Sequence, residues 1–458
     1  MKFIILFSSL LLICSCQNEA LLPLSNQKTD AISERLSFSE ASFPFTSGIL
    51  EANQVIPASD LLPTGGLPGG NAILADNSPE IIYSEGWVFA PPRINNVRQS
   101  VTGEKEFYTF HYNKMKVGGV EKNAFYVLLA TNPNSTPVTA SLRGSILTKT
   151  DAGGFNFSNP PYFFEKEGFE VSKRFLEGDH NYVTSNVSIP PSGAGNFKIL
   201  AYKYVAQGDG VDGRFTLNFS NNVFVYAVMV SINQGESVAT ILNRAVNLAT
   251  TDNFTASNVN KRADGEWKYN NDWILERPDE YGRQSGLYRN SKWEVNQTIT
   301  LPQGPGYLGM CLISDKKFNA FSEDQTSEKI ALVPADTRRY SNMGSLENAS
   351  RTYGNYGYLY DMTYTVVNNE AITRNVKLSM ACTVTDANAP NARYVGYVKV
   401  KDGYSDEVPV NCIVRLNDPK FTLLNFTCAP NSSKIIKLRF YVPGLITAGN
   451  GLILEVLN

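Results

Sequence analysis

Short runs that alternate apolar and polar residues, broken every few positions by Asn, Gly, Pro or Ser, constrain the fold of this chain more than any other feature. Successive side chains of a strand point to opposite faces, so an apolar period of two marks a strand buried on one side. Glu106 to Tyr112, Ala124 to Ala130 and Val138 to Leu142 show this alternation or form brief apolar runs, and Val183 to Ile189, Phe197 to Val205, Phe215 to Phe219 and Val223 to Ile232 continue it. None of this half reads as helix. The first helical candidate is Glu236 to Ala249, where Val238, Ile241, Leu242, Ala245 and Leu248 recur at intervals of three and four. Strands resume at Tyr307 to Ile313 and run on through Lys329 to Val333, Tyr358 to Val367, Asn375 to Val384, Tyr394 to Lys401, Val408 to Leu416, Phe421 to Cys428, Lys434 to Tyr441 and Leu452 to Leu457.

This pattern predicts an all-β protein of two consecutive antiparallel β-sandwich domains, at 77–232 and 283–458, separated by one short helix and a polar connection at 233–282. The two halves share a grammar. Tyr126 to Asn132 leads through a polar turn to Val138 to Leu142, and Tyr364 to Asn368 leads through a turn to Val376 to Met380. Ile189-Pro190-Pro191 before Phe197 to Leu200 likewise matches Cys428-Ala429-Pro430 before Ile436 to Leu438, which predicts related topologies.

The N-terminus gives an address. Lys2 precedes an apolar run from Phe3 to Ile13, relieved only by Ser8 and Ser9. At about 1.5 Å of rise per residue such a run covers roughly half of a hydrocarbon core about 30 Å thick, so it reads as a signal peptide over residues 1–15. Leu12-Ile13-Cys14-Ser15-Cys16 then resembles a bacterial lipobox, which makes Cys16 the expected lipidation site, with ordinary secretion as the alternative. Residues 16–76 carry sparse apolar periodicity and the run Leu62 to Gly70, rich in Pro and Gly, and are expected to form the lipidated N-terminus and a flexible tether.

Charge narrows the partners. With 41 Lys and Arg against 43 Asp and Glu the formal charge is −2, so there is no basic field to hold nucleic acid. The expected partners are the membrane, through the lipid anchor, and a glycan or envelope protein. Cys311, Cys382, Cys412 and Cys428 remain after the signal; in an oxidising compartment they are candidates for one or two disulfides, in any of three pairings, or else buried free thiols. Without a Cys-x-x-Cys pair, and with only His111 and His180, the sequence offers no metal site and implies no cofactor.

A resemblance joins these readings. Leu67-Pro68-Gly69, Asn77-Ser78-Pro79-Glu80-Ile81-Ile82, Asp212-Gly213-Arg214, Tyr281-Gly282-Arg283 with Gly286 and Trp293, and Tyr353-Gly354-Asn355-Tyr356-Gly357 follow the order and spacing of landmarks in an uncharacterised secreted family best known from cyanobacteria, the domain of unknown function 3370. The resemblance covers nearly all of the mature chain. It implies export and a β-rich fold, and it supplies no catalytic residues.

Candidate ligand-facing aromatics are Tyr353, Tyr356 and Tyr358 in the Gly- and Asn-rich turn, with Trp267 and Trp273 in the connection, since sugar rings stack on aromatic faces; turn chemistry and packing are the competing roles. Asp209-Gly210-Val211-Asp212-Gly213 reads as a hairpin between strands rather than a calcium loop. No Ser, His and acid arrangement and no singled-out carboxylate pair marks a catalytic site. The expectation is an exported, membrane-anchored protein of the cell envelope or surface with a non-catalytic binding, adhesion or structural role. The alternative is a carbohydrate-active, glycoside hydrolase-like enzyme.

Overall fold

The computed structural model describes residues 43–57, 60–64, 66–77, 81–89, 91, 93–94, 97–152, 165–191, 196–250, 285–288, 290–313, 356–382, 392–403, 405–415, 418–443 and 450–458. Residues 1–42, including Cys16, lie outside them, as do Trp267, Trp273, Tyr353 and the strand expected from Lys329 to Val333. The first strands are short: β1 (Thr46–Ser47), β2 (Leu62–Pro63), β3 (Leu67–Gly69), β4 (Ile73–Asp76), β5 (Ile81–Ile82), β6 (Gly86–Phe89), and a small hairpin of β7 (Arg93–Ile94) and β8 (Val97–Arg98). Long strands follow in β9 (Val101–Asn113), then a second small hairpin of β10 (Lys116–Val117) and β11 (Val120–Glu121), β12 (Ala124–Thr131), β13 (Val138–Thr148), helix α1 (Glu165–Glu177), β14 (Tyr182–Ile189), β15 (Phe197–Val205), β16 (Gly210–Ser231) and helix α2 (Val238–Thr250). The remainder is β17 (Ser285–Tyr288), β18 (Lys292–Thr300), β19 (Gly306–Ile313), β20 (Leu359–Asn368), β21 (Arg374–Cys382), β22 (Ala392–Asp402), β23 (Val408–Arg415), β24 (Lys420–Cys428), β25 (Ser432–Tyr441) and β26 (Asn450–Val456).

The expected all-β class holds, with two sandwich-like bodies. In the first, sheet I has the order β14-β13-β16-β9-β4-β17, while sheet II contains β15, β12, the second half of β16, and β6. The 22-residue β16 belongs to both because its register slips between Phe219 and Val223, where Asn221 and Asn222 let the strand turn the corner of the sandwich. Phe107, Tyr126, Leu128, Phe215 and Leu217 fill the space between the two sheets. In the second body, sheet III has the order β23-β22-β25-β20-β18-β3, and sheet IV the order β24-β21-β26-β19-β1 with β2 beside β19. Tyr360, Met362, Tyr364, Leu438 and Phe440 from sheet III meet Leu378, Met380, Leu452 and Leu454 from sheet IV.

The shared grammar corresponds to a shared topology. The run β14-β13-β16-β9 in sheet I and the run β24-β21-β26-β19 in sheet IV have the same order, antiparallel at every step. In the opposite sheets β12 pairs antiparallel with β15, and β20 antiparallel with β25. Buried Asn132 ends β12 and donates its amide to the carbonyls of Thr136 (2.8 Å) and Ile189 (3.0 Å), while its Oδ1 accepts from the Asn134 N–H. Buried Asn368 ends β20 and repeats this with Ile372 (2.8 Å), Cys428 (3.0 Å) and the Glu370 N–H. The bodies diverge where α1 separates β13 from β14, since the β22–β23 hairpin stands at that point between β21 and β24. They diverge again where β18 runs parallel to β20, whereas β16 runs antiparallel to β12.

Three expectations change. Four strands from the segment expected to be a tether join the sheets: β1 and β2 pair with β19, β3 with β18, and β4 lies between β9 and β17. Pro63 and Pro68 fit because β2 and β3 are edge strands, where a missing N–H costs no ladder bond. Leu50, Ile56 and Leu61 are buried against Ile453. Second, α1 was unforeseen; its buried face includes Glu167 and Ser172, which break the apolar periodicity, and Gly168 lowers its helix propensity. The other helix, α2, forms where expected, with Ser237 Oγ capping its first turn at the Thr240 N–H. Third, no hairpin forms at Asp209 to Gly213: the chain crosses from sheet II to sheet I between Val205 and Gly210, and Gly210 to Gly213 already pair with β9, because β15 and the first half of β16 belong to different sheets.

Helix α1 fixes how the bodies meet. Phe169 and Leu176 pack on Val395 and Tyr397 of β22, and Phe175 lies 6.0 Å from the Tyr441 ring of β25. Tyr108 of sheet I meets Tyr441 edge-on at 6.1 Å, and Tyr441 donates its hydroxyl to Asp212 Oδ1 at 3.0 Å. The outer face of sheet I is thereby continuous with the core of the second body.

Candidate binding groove on the second sandwich

The sequence-predicted site residues do not assemble into an open site among the described residues. Tyr356 and Tyr358 are 7% and 3% exposed, part of the core rather than ligand-facing, and burial pushes the Tyr358 hydroxyl well above the usual tyrosine range. The four cysteines are separate buried thiols instead of disulfide partners. Cys311 and Cys382 flank β26, so two strand spacings, roughly 10 Å, separate their backbones. They also belong to different core clusters. Cys412 lies in sheet III and Cys428 in sheet IV.

An open groove lies on the outer face of sheet III. It encloses about 560 Å³ between β18, β20, β25 and the chain entering β3. Strict alternation along β20 sends Tyr360, Met362, Tyr364 and Val366 inward and leaves Asp361, Thr363 and Thr365 outside. Gly66 forms one wall. Its φ of +109° suits glycine, and a Cβ there would sit 2.6 Å from the Glu294 carbonyl oxygen, so only glycine lets the chain run this close to β18.

The register sets the groove's charge in rows. Glu294, Asp361, Arg439 and Lys399 are successive cross-strand neighbours, and Asn296, Thr363, Lys437 and Lys401 form the next row. Each row opposes like charges, which is unfavourable unless relieved. Lys292 bridges Glu294 (2.6 Å) and Asp361 (3.0 Å). Burial draws its ammonium down, but the hydrogen bonds to both carboxylates outweigh that and hold it above the usual lysine range. Glu407 approaches Lys399 and Arg439 at 3.8 and 3.7 Å. Among the described residues no carboxylate pairs with Lys401 or Lys437, which face each other directly across β22 and β25. The groove thus presents acceptors at one end, amide and hydroxyl groups in the middle, and Lys437 at the other, with Lys401 next to it across the strand pair, beyond the groove lining.

Two further polar clusters are closed to solvent. Between sheets I and II, Asp76 meets His111 Nε2 at 3.0 Å and accepts from Tyr126 (3.0 Å) and Thr109 (3.2 Å). At the junction, Arg214 pairs with Glu106 at 2.8 Å and lies over the Phe175 ring. Beside them Glu167 of α1 abuts Gly210, where a Cβ would fall 2.2 Å from its Oε1. Burial above all, together with the Asp212 and Asp209 charges, raises the Glu167 carboxyl to about 8, opposed by its own backbone N–H and by Lys149. Asp209 accepts from the Lys149 N–H (3.1 Å), Thr150 Oγ1 (2.8 Å) and the Gly210 N–H (2.9 Å), so its oxygens brace the crossing. Sequence alone had no signal for Asp76 or Glu167, since their partners come from other elements.

No family model matches the chain, and no curated protein matches it. Among solved structures, the CUB1-EGF-CUB2 domains of rat MASP-1 align over 84% of this chain and 99% of theirs at 9% identity, with a TM-score of 0.16. Tripeptidyl peptidase 2 aligns over 82% of this chain and 24% of its own at 8% identity, with a TM-score of 0.19. Likenesses this low carry no argument about topology or activity.

Proposed function

We propose that the protein is an exported lipoprotein of the bacterial envelope or cell surface, anchored through Cys16, that binds a saccharide without transforming it. The observation that carries the binding role is the groove on sheet III, where Asn296, Gln297 and Thr363 offer amide and hydroxyl groups on a rigid sheet between charged ends. Alternating donors and acceptors on a fixed surface match the hydroxyls of a sugar at low ordering cost. The lipobox-like Leu12 to Cys16 supports the anchor. A glycan array and an envelope pull-down with the purified full chain test the binding role: saccharide signals lost on Asn296→Ala with Thr363→Ala support it, and an empty array with an empty pull-down sinks it. An acyl-modified Cys16 in the mass spectrum of the mature protein supports the anchor, and an unmodified Gln17 N-terminus overturns it.

The enzymatic alternative has one observation in its favour, that Glu294 and Asp361 oppose each other in the groove. A glycosidase places the scissile bond between its two carboxyl groups. Here the Lys292 ammonium bridges them. Release of reducing sugar from any array-positive glycan, abolished by Asp361→Asn, would establish the enzyme instead.

A further inference from the structure

Three pairs of like charges oppose each other across the strands of sheet III, and two are relieved from within the protein: Glu294 and Asp361 by Lys292, Lys399 and Arg439 by Glu407. The third, Lys401 with Lys437, is relieved by no described carboxylate. Directly opposed like charges destabilise a sheet. Nothing in the packing requires lysine at either position, since Lys437 is exposed and Lys401 half-exposed, with the apolar Val400 and Leu438 carrying the core contacts beside them. A local violation of good sheet chemistry beside an open site is where a ligand-supplied charge belongs. Thr363, the direct neighbour of Lys437, adds a hydroxyl donor, and Asn296 beyond it an amide.

We infer that Lys437, which lines the end of the groove, and Lys401, its cross-strand neighbour just beyond, form an anion subsite and that the ligand is an acidic saccharide, its carboxylate held by the two ammonium groups and its hydroxyls by Thr363 and Asn296. This rests on the saccharide-binding reading of the groove and adds the ligand's charge. The negative end, built from Glu294 and Asp361, sets polarity: the saccharide lies with its carboxylate toward β22 and its neutral hydroxyls toward β18. A chain charged on every residue would bring a second carboxylate toward Glu294, so ligands with spaced carboxylates bind better than a uniform polyanion.

The test is calorimetric titration of the full chain with a disaccharide of one uronic acid and one neutral sugar, and with its methyl ester, which masks the carboxylate and keeps the hydroxyls. The acid is expected to bind about tenfold tighter than the ester at low salt, with the advantage shrinking as salt rises. In Lys401→Gln with Lys437→Gln the advantage disappears while ester binding persists; Lys399→Gln, whose lysine is already relieved by Glu407, retains it. The double variant melts no lower than the parent, which separates lost binding from lost folding. Equal binding of acid and ester, or an unchanged preference in the double variant, overturns the anion subsite and leaves the groove as a neutral saccharide site. Binding of neither ligand overturns it as well, and with an empty glycan array the saccharide reading falls too.

Discussion

Asn132 and Asn368 occupy the same place in two copies of one turn, each joining the end of one strand to the last carbonyl of another that lies 57 or 60 residues further on. Both are fully buried, and each amide satisfies at least two carbonyls, one of them buried, on Ile189 and on Cys428. Replacing either with Ala is expected to cost about 2–4 kcal/mol, because buried acceptors lose their donor. Asn→Asp should cost as much, since a carboxylate cannot donate. Chemical denaturation of the single variants measures this; losses under about 0.5 kcal/mol at both sites would show that the turns do not hold the sandwiches.

The repeat was legible because it rests on local grammar: a strand ending in Asn, a polar turn, and a strand of alternating Val, Leu and Ser or Met. Most of the strands were legible for the same reason. What was hidden depends on distant partners. The edge strands β2 and β3 read as linker because Pro and Gly suit an edge as well as a coil. Helix α1 was hidden because Glu167 and Ser172 occupy its buried face. Tyr356 and Tyr358 looked ligand-facing because Gly and Asn flank them, yet Gly357 packs against the Tyr108 ring and draws that segment into the junction. Lys401 and Lys437 are unremarkable as separate residues, and only the pairing of β22 with β25 sets them opposite each other.

The cysteines give a chemical prediction. Cys311, Cys382, Cys412 and Cys428 are all buried and none is in a disulfide, and burial raises the Cys412 thiol well above the ordinary range. Alkylation without reductant should leave them untouched in the folded protein and label all four in denaturant, as thiol reactivity follows thiolate fraction and access. Fewer than four labels, read by mass spectrometry, would reveal a disulfide and overturn the arrangement.

Edge strand β15 protects itself with a charge. Lys203 is the register partner of core-facing Tyr126, and its ammonium turns to Asp151 at 2.7 Å. Although burial works the other way, the bonds from Lys203 and Thr148 hold the Asp151 carboxyl below its usual range. An inward charge on an edge strand discourages pairing with another molecule. Lys203→Val should therefore aggregate faster, seen as light scattering that rises with protein concentration while the monomer's fold is retained; unchanged scattering would assign the edge's protection elsewhere.

Glu167 makes stability depend on pH. Folded, its carboxyl keeps its proton up to about 8; unfolded, it loses it near 4.5. Between those values the folded state binds more protons than the unfolded chain, so the contribution is fully present below 4.5, declines as pH rises, and is lost above about 8. The decline from this one group is about 1.4 kcal/mol per pH unit. The groups facing it are Asp209 and Asp212 of the crossing and β16, which oppose its ionisation, and Lys149, which favours it. Glu167→Gln cannot ionise, so it should match the parent near pH 4.5 and exceed it increasingly toward pH 8. Melting temperatures of both proteins across that window check this. Parallel profiles would mean that α1 leaves the junction, or admits water to it, before Glu167 titrates.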